Sequence, residues 1–216
     1  MQMKECFLEI VILDSYNLNF KYFFHKYMKK IFLTRHGESI YNIENRLGGN
    51  PDLSDKGYKY AESLSKYINN LDDEITVLTS GLTRTINTAK KIKFEKTIYG
   101  FLNEINAGIC ENMTYNEVKN KYPEEFIKRQ NDKLNYRYIN GESYNDLIKR
   151  INQVFDIINN SNNTVLIVAH QAVLRVIYGT LMKFKKEDFP YISIPLHTLI
   201  EININRITTV NKKKLL

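Results

Sequence analysis

The sequence predicts a three-layer α/β/α fold built around a mostly parallel β-sheet. Short apolar runs alternate along the chain with longer segments whose apolar residues recur every three or four positions, which is typical of strands alternating with amphipathic helices. One run, Thr164 to Val168, is almost entirely apolar and β-branched, as expected of a strand that is covered on both faces. Strands and helices in alternation favour a sheet with helices on both sides.

The first half of the chain contains two predicted strand and helix pairs. The run Ile31 to Leu33 predicts a buried strand that ends near Arg35. A helix is predicted after Ser54, because apolar residues share one helical face there: Tyr60, Ala61, Leu64, Tyr67, Ile68 and Leu71. A second strand is predicted over Ile75 to Leu78, and a helix follows it over Thr83 to Ile92.

The second half contains two sequence patterns that mark helix starts. Thr114 with Glu117, and Ser143 with Asp146, fit the capping box, in which each side chain satisfies the backbone N–H of the other residue. One continuous helix is predicted after the second box, because its apolar residues share a face: Leu147, Ile151, Val154, Phe155 and Ile158. The apolar segment Val173 to Met182 predicts a last helix, directly after the buried β-branched strand.

Composition places the chain among ordinary globular proteins. Its 216 residues are 43% hydrophobic and 25% charged, which is sufficient for one domain with a core. The net charge of +7 favours an anionic partner, which leaves a phosphorylated metabolite, a nucleic acid and an acidic membrane surface open. The two cysteines form neither a disulfide framework nor a C-x-x-C pair, and the apolar run Phe7 to Leu13 is too short to span a bilayer.

Reactive and cationic side chains follow three of the predicted strands. Arg35 and His36 follow the first strand, Arg84 lies beyond Ser80 after the second, and His170 follows the third. Ligands of open α/β sheets bind at the carboxyl ends of the strands, so we expect these groups to meet. Guanidinium groups bind phosphate oxygens and a neutral imidazole nitrogen can act as a nucleophile, which predicts a phosphoryl site. The alternative is that the arginines only solvate the ends of elements.

The other two histidines, His25 and His197, are expected to be structural. Neither His36 nor His170 has a carboxylate or a second histidine at ligand spacing, so the sequence predicts no metal site and no cofactor.

A family resemblance runs through these positions. The run LTRHGES at residues 33–39, followed by Asn42, Arg46, Gly48 and Gly49, resembles the signature of the histidine phosphatase superfamily, which includes phosphoglycerate mutases and fructose 2,6-bisphosphatases. The superfamily match continues through residues 79–89 and 102–105. Later segments resemble the bisphosphatase domain of the bifunctional enzyme that makes and destroys fructose 2,6-bisphosphate; they lie at residues 113–115, 122–126, 129–138, 141–144, 170–175 and 195–198.

This resemblance implies a role for each of its matching residues. His36 would be the nucleophile that becomes phosphorylated, and Glu104 would donate a proton to the leaving sugar oxygen. The transferred phosphoryl group would be surrounded by Arg35, Asn42, Arg84 and His170. The rest of the substrate would be held by Gly48, Tyr115, Arg129, Lys133, Tyr144, Gln171 and Arg175, with Arg129 and Lys133 directed at its second phosphate.

Three positions depart from the family pattern. Asn106 stands where an acidic residue is usual, Gln130 where an Asp is usual and Ile139 where a Pro is usual. The sequence contains no G-x-x-x-x-G-K-[ST] loop, so no ATP-using kinase activity is predicted. A broader phosphatase, a phosphoglycerate mutase that returns the phosphoryl group to its substrate, and a phospholigand-binding module remain as alternatives.

The resemblance also divides the chain into three segments. We expect an extension over residues 1–29, a catalytic domain over residues 30–210, and a solvated basic tail over residues 211–216. We further expect a cytoplasmic monomer or homodimer that binds a phosphorylated small molecule and neither nucleic acid nor a membrane.

Overall fold

The computed structural model describes residues 29–204 and 208–216, and its centre is a six-stranded sheet. The strands lie in the order β3-β2-β4-β1-β5-β6, and their bounds are β1 Lys29–Arg35, β2 Ile75–Thr79, β3 Lys96–Ile98, β4 Thr164–Ala169, β5 Thr198–Ile204 and β6 Thr209–Lys214. Strands β1 to β4 pair in parallel, whereas β5 is antiparallel to both β1 and β6. The prediction of a mostly parallel sheet is therefore confirmed.

Helices cover both faces of this sheet. Their bounds are α1 Ile40–Glu44, α2 Asp55–Asn69, α3 Thr83–Ala89, α4 Tyr115–Lys121, α5 Pro123–Asn131, α6 Tyr144–Ile151, α7 Gln153–Asn160 and α8 Gln171–Leu181. Successive residues of β1 point to opposite faces, as the pleat of a strand requires. Ile31 and Leu33 pack with α6, α7 and α8, while Phe32 packs with α2. This gives the three predicted layers.

The helix starts follow the predicted signals. The side chain of Ser54 accepts the backbone N–H of Gly57 at the start of α2, and both predicted capping boxes are present at Thr114 and Ser143. Two predictions of helix length were wrong. Helix α3 ends at Ala89, and the single helix predicted after Ser143 is two helices, α6 and α7, although its five apolar residues are all buried.

The basic segment at the carboxyl terminus does not form the predicted solvated tail. Lys212, Lys213 and Lys214 lie in β6, which pairs antiparallel with β5. Backbone hydrogen bonds hold this strand, so it needs little apolar patterning, and exposed lysines are common on edge strands because they discourage pairing with another chain. The predicted extension lies outside the described residues, except that Lys29 begins β1.

A small separate core lies beside the carboxyl end of the sheet. It contains Ala107, Cys110, Val118 and Tyr138, with Phe126 packed against it. These residues come from α4, α5 and the segments that flank them, and none of them belongs to the two cores on the faces of the sheet. Within the described ranges, no helix combines the length and apolar character that crossing a membrane would require.

Candidate active site

The register of the parallel strands brings the two predicted histidines together. Arg35 at the end of β1 lies opposite Ala169 at the end of β4, and the backbone N–H of His36 donates to the carbonyl oxygen of Ala169 at 3.0 Å. His170 follows Ala169 directly. The imidazole centroids of His36 and His170 are 5.2 Å apart, and both rings are buried.

His36 is held in one tautomer by the backbone of the next residue. Its Nδ1 lies 2.7 Å from the carbonyl oxygen of Gly37. A carbonyl oxygen only accepts hydrogen bonds, so Nδ1 carries the hydrogen and Nε2 keeps its lone pair. Burial lowers the pKa of His36 well below its ordinary value, and the charges of Arg84 and Arg35 lower it further. A neutral imidazole with a free Nε2 is the form that attacks phosphorus.

Two guanidinium groups flank this imidazole without a carboxylate partner. Arg84 is 4% exposed and donates from Nη1 to the carbonyl oxygen of Gly49 at 2.9 Å. Arg35 donates to the carbonyl oxygen of Ile194 at 3.2 Å, and its buried Nε has no hydrogen-bond partner in the part of the chain that the structure describes. Burial lowers the pKa of Arg35 to about 10; the charge of Glu104 opposes this shift, and the charges of Arg175 and Arg84 add to it. Neither Arg35 nor Arg84 forms an ion pair within residues 29–204 and 208–216, which leaves their charge available to an anion.

Glu104 is oriented towards the same place by backbone groups. Its carboxylate accepts the backbone N–H of Ile105 at 2.9 Å and that of Ala172 at 3.2 and 3.4 Å. The segment that carries Glu104 is fastened by Arg150, which donates to the carbonyl oxygens of Phe101 at 2.5 Å and of Glu104 at 3.1 Å.

Glu142 holds Arg150 in this position. Its carboxylate binds the guanidinium of Arg150 at 2.6 and 2.8 Å and accepts the backbone N–H of Asn106 at 2.9 Å. The paired Glu142 and Arg150 side chains therefore link α6 to the segment of Glu104.

A glycine loop forms the opposite wall of the site. Gly48 has a φ of +60°, and a Cβ at this position would lie 1.9 Å from Oε2 of Glu111. Glu111 accepts the backbone N–H of Gly49 and, at 2.7 Å, that of Ala107. Glycine is needed at position 48 both for the backbone conformation and for the close approach of this carboxylate.

Asn42 lies on α1 at the same wall. Its Oδ1 accepts both the backbone N–H and the hydroxyl of Ser39, at 3.0 and 3.1 Å. The amide nitrogen of Asn42 is thereby left as the donor group of its side chain.

These groups border a cavity of about 280 Å³ at the carboxyl end of the sheet. Eleven of the thirteen predicted residues line it: Arg35, His36, Asn42, Gly48, Arg84, Glu104, Tyr115, Arg129, Tyr144, Gln171 and Arg175. His170 lies fully buried behind His36 and does not line it. Lys133 lines an adjoining cavity of about 360 Å³, which shares Tyr115, Arg129, Gln171 and Arg175 with the first.

Three cations meet where the two cavities join. Arg129 donates from Nε to the hydroxyl of Tyr138, and Arg175 donates to the hydroxyl of Tyr144 at 3.2 Å. Burial lowers the pKa of Lys133, and the charges of Arg129 and Arg175 lower it further. The mutual repulsion of these groups favours an anion between them.

Several residues at the site were not predicted. Tyr138 lines both cavities, Ser80 binds Nε2 of His170 at 2.7 Å, and the Glu142 and Arg150 pair braces Glu104. His197, expected to be structural, is buried and its Nε2 accepts the backbone N–H of Glu38 at 3.2 Å. In the described part of the chain, no three His, Cys, Asp or Glu side chains form a group able to hold a metal ion.

Comparison with known proteins agrees with this geometry. A family model described as the histidine phosphatase superfamily (branch 1) matches residues 31–213. The chain belongs to this superfamily. The resemblance noted in the sequence is thereby confirmed.

Curated relatives within the superfamily are similar over most of this chain. It is 47% identical over 176 residues to a fructose-2,6-bisphosphatase from Saccharomyces cerevisiae, a match that covers 81% of this chain and 39% of that protein. It is 42% identical over 180 residues to 6-phosphofructo-2-kinase/fructose-2,6-bisphosphatase 3 from Rattus norvegicus, covering 82% and 32%. The chain therefore spans about two fifths or less of the length of these relatives.

Solved structures of other proteins share the fold. The alpha-ribazole phosphatase from Shigella flexneri has a TM-score of 0.78 with this chain, at 23% identity, covering 86% of this chain and 96% of that one. At this identity the likeness concerns the α/β/α architecture.

Proposed function

We propose that this chain is a phosphatase that hydrolyses the 2-phosphate of fructose 2,6-bisphosphate through a phosphohistidine on His36. The observation that carries the proposal is the free Nε2 of a buried, neutral His36 beside the guanidinium groups of Arg35 and Arg84, neither of which forms an ion pair among the described residues. Such cations stabilise the charge that spreads over three phosphoryl oxygens in the transition state. The names of the yeast and rat relatives support the choice of substrate.

The reaction has two steps. Nε2 of His36 attacks phosphorus while the bond from phosphorus to the sugar oxygen at C2 breaks, and Glu104 donates a proton to that oxygen. Fructose 6-phosphate then leaves. In the second step a water attacks the phosphohistidine, Glu104 takes the proton of the water, and phosphate is released with His36 restored.

The phosphoryl oxygens contact Arg35, Asn42, Arg84 and His170 in this proposal. Two buried polar atoms support it, namely Nε of Arg35 and Nδ1 of His170, which have no hydrogen-bond partner within residues 29–204 and 208–216. An unsatisfied buried polar group costs about 1–3 kcal/mol, which a phosphoryl oxygen recovers directly at the N–H of Arg35 and, at Nδ1 of His170, only with a hydrogen between the two atoms.

The second phosphate binds at the junction of the two cavities. Arg129, Lys133 and Arg175 supply the positive charge there, and the lowered pKa of Lys133 supports an anion among them. The sugar lies between the two phosphates, in contact with the other residues that line the first cavity and that the sequence predicted: Gly48, Tyr115, Tyr144 and Gln171.

Trapping the intermediate tests the proposal. Phosphohistidine survives alkali and is lost in acid. Brief exposure to substrate labelled at the 2-phosphate, followed by alkaline denaturation, should label the wild-type protein on the peptide that contains His36. The variant His36→Ala should carry no label. Label that persists in this variant would exclude His36 as the nucleophile.

A parallel assay separates the alternative activities. Phosphate release from fructose 2,6-bisphosphate should exceed the isomerisation of 3-phosphoglycerate in the same preparation. The opposite ranking would make the chain a mutase, and binding without turnover of either compound would make it a binding module.

A further inference from the structure

Buried hydroxyl groups contact the second histidine on the side opposite its unpartnered nitrogen. Nε2 of His170 lies 2.7 Å from Oγ of Ser80, and this oxygen lies 2.7 Å from Oγ1 of Thr85. The backbone N–H of Leu82 also donates to Oγ of Ser80, at 3.1 Å. Oγ1 of Thr85 lies 2.7 Å from the carbonyl oxygen of Leu82 and 3.1 Å from that of Ser80. Ser80, Thr85 and His170 are all fully buried.

Only one arrangement of hydrogens satisfies every one of these contacts. Carbonyl oxygens only accept, so the single hydroxyl hydrogen of Thr85 is donated to the carbonyl of Leu82, shared with that of Ser80. The contact between the two hydroxyls then requires Ser80 to donate to Thr85. Ser80 has no second hydrogen, so the contact with His170 requires Nε2 of the imidazole to donate. If Thr85 instead donated to Ser80 and Ser80 donated to His170, Oγ1 of Thr85 and the carbonyl oxygen of Leu82 would lie 2.7 Å apart with no hydrogen between them.

We infer that Ser80 and Thr85 are positioning residues that hold His170 as the Nε2–H tautomer, so that the site takes up its phosphoryl group together with one proton. This is the opposite tautomer to that of the other buried histidines. His36 donates from Nδ1 to a carbonyl oxygen, and His197 accepts a backbone N–H at Nε2. Each of those two imidazoles therefore carries its hydrogen on Nδ1, whereas Nδ1 of His170 keeps a lone pair.

The chemical consequence follows from the lone pair on Nδ1, and it rests on the proposed position of the phosphoryl group beside His36. A phosphoryl dianion has only acceptor oxygens, so it makes no hydrogen bond to a bare Nδ1. One proton taken from solvent allows a hydrogen bond between Nδ1 of His170 and a phosphoryl oxygen, whether the proton lies on the nitrogen or on the oxygen.

The surrounding charges favour uptake of that proton only when the anion is bound. Burial lowers the pKa of His170 well below its ordinary value, and the charges of Arg84, His36 when protonated, Arg35 and Arg150 lower it further. Glu104 supplies the carboxylate on this side of the site. In the empty site His170 is thus neutral, and a bound phosphoryl group adds the negative charge that offsets the arginines.

Nitrogen-15 NMR of the imidazoles tests the tautomer without any substrate. A protonated ring nitrogen and a bare one resonate in separate ranges, and the signals of His170 are those absent from His170→Asn. In the wild type we expect hydrogen on Nε2 of His170. In Thr85→Val, Ser80 loses its acceptor and donates to His170 instead, so hydrogen is expected on Nδ1. Thr85→Ser keeps the hydroxyl and should retain the wild-type signals, as should Thr83→Val on the same helix.

Calorimetry tests the proton. Methylphosphonate, whose dianion has three acceptor oxygens and no hydroxyl group, is titrated into the protein at a pH well above its second pKa, in buffers of different ionisation enthalpy. The wild type and Thr85→Ser should take up about one proton per phosphonate dianion bound, and their affinity should fall about tenfold per pH unit. Thr85→Val should take up almost none.

Two results would overturn the inference. One is hydrogen on Nδ1 of His170 in the wild type, and the other is equal proton uptake by the wild type and a folded Thr85→Val protein. Neither measurement depends on fructose 2,6-bisphosphate, so a failure of the proposed substrate would leave both readouts intact.

Discussion

Replacing Lys133 by alanine separates the proposed second-phosphate anchor from the chemistry. The Nζ of Lys133 lies 4.9 Å from the centroid of the Tyr191 ring and lines the cavity that adjoins the one containing His36. Its neighbours Arg129 and Arg175 are already engaged with tyrosine hydroxyls. Among the described residues Lys133 has no hydrogen-bond partner, so all three of its N–H donors remain for an incoming phosphate.

The size of the effect follows from that contact. A hydrogen bond to a charged group contributes about 1.5–3 kcal/mol. Lys133 is half-buried, so water compensates part of the loss in Lys133→Ala. We therefore expect the lower end, about 1.5 kcal/mol, which is about a tenfold weaker affinity. The loss should appear in kcat/KM for fructose 2,6-bisphosphate, while kcat/KM for a small aryl phosphate without a second phosphate should hardly change.

The assay needs a control for net charge. Removing any lysine lowers the overall positive field that attracts an anionic substrate. Lys119 is exposed on α4 and lines neither cavity, so Lys119→Ala removes the same charge at a distance from the site. Both variants are compared with the wild type at one salt concentration. Equal losses on the two substrates for Lys133→Ala, or a loss no greater than that of Lys119→Ala, would refute the anchor.

Three further outcomes follow from the site. Glu104→Gln should lower kcat for fructose 2,6-bisphosphate by about 10²- to 10⁴-fold, but for an activated aryl phosphate far less, because only a poor leaving group needs the proton; equal losses would give Glu104 another role. Arg150→Ala should show the same substrate dependence with a smaller loss of kcat, because it frees the segment of Glu104. Kinetics of Arg150→Ala and Glu142→Gln on the same two substrates test this. The pKa values of His36 and His170 are lowered from 6.5. Their contribution to the free energy of unfolding is therefore fully present above pH 6.5 and is lost as the pH falls below it. Below pH 6.5 each of the two histidines lowers the free energy of unfolding by about 1.4 kcal/mol per pH unit. The free energy of unfolding measured with urea should therefore fall less steeply with decreasing pH in His170→Asn than in the wild type.

The fold was predictable where side chains alternate or repeat, and not where the backbone alone decides. Strands β1, β2 and β4 were found because they are buried and apolar on both faces. Strand β6 is exposed and carries three consecutive lysines, and β3 has three residues, so neither has a readable pattern. Strand β5 was missed although its apolar β-branched residues were a usable signal.

The residues of the site also differ in whether a local sequence pattern could predict them. Groups that follow strand ends, such as His36 and His170, were predictable because parallel strands deliver their carboxyl ends to one edge. The hydrogen bond between Ser80 and His170 joins residues 90 positions apart, and that between Arg150 and the Glu104 carbonyl spans 46. Contacts of this kind depend on the packing of α6 and α8 against the sheet, which no local pattern encodes.

The small core of Ala107, Cys110, Val118 and Tyr138 gives Arg129 a support that is separate from the support of the reacting phosphoryl group. The reacting phosphoryl group would rest on the ends of strands held by the two large cores, whereas Arg129 is carried by helix α5, which packs against the small one. A substitution such as Val118→Ala would loosen the second support and leave the first intact. Substitutions in the small core would therefore change which phosphorylated sugar is bound without altering the groups that transfer the phosphoryl group.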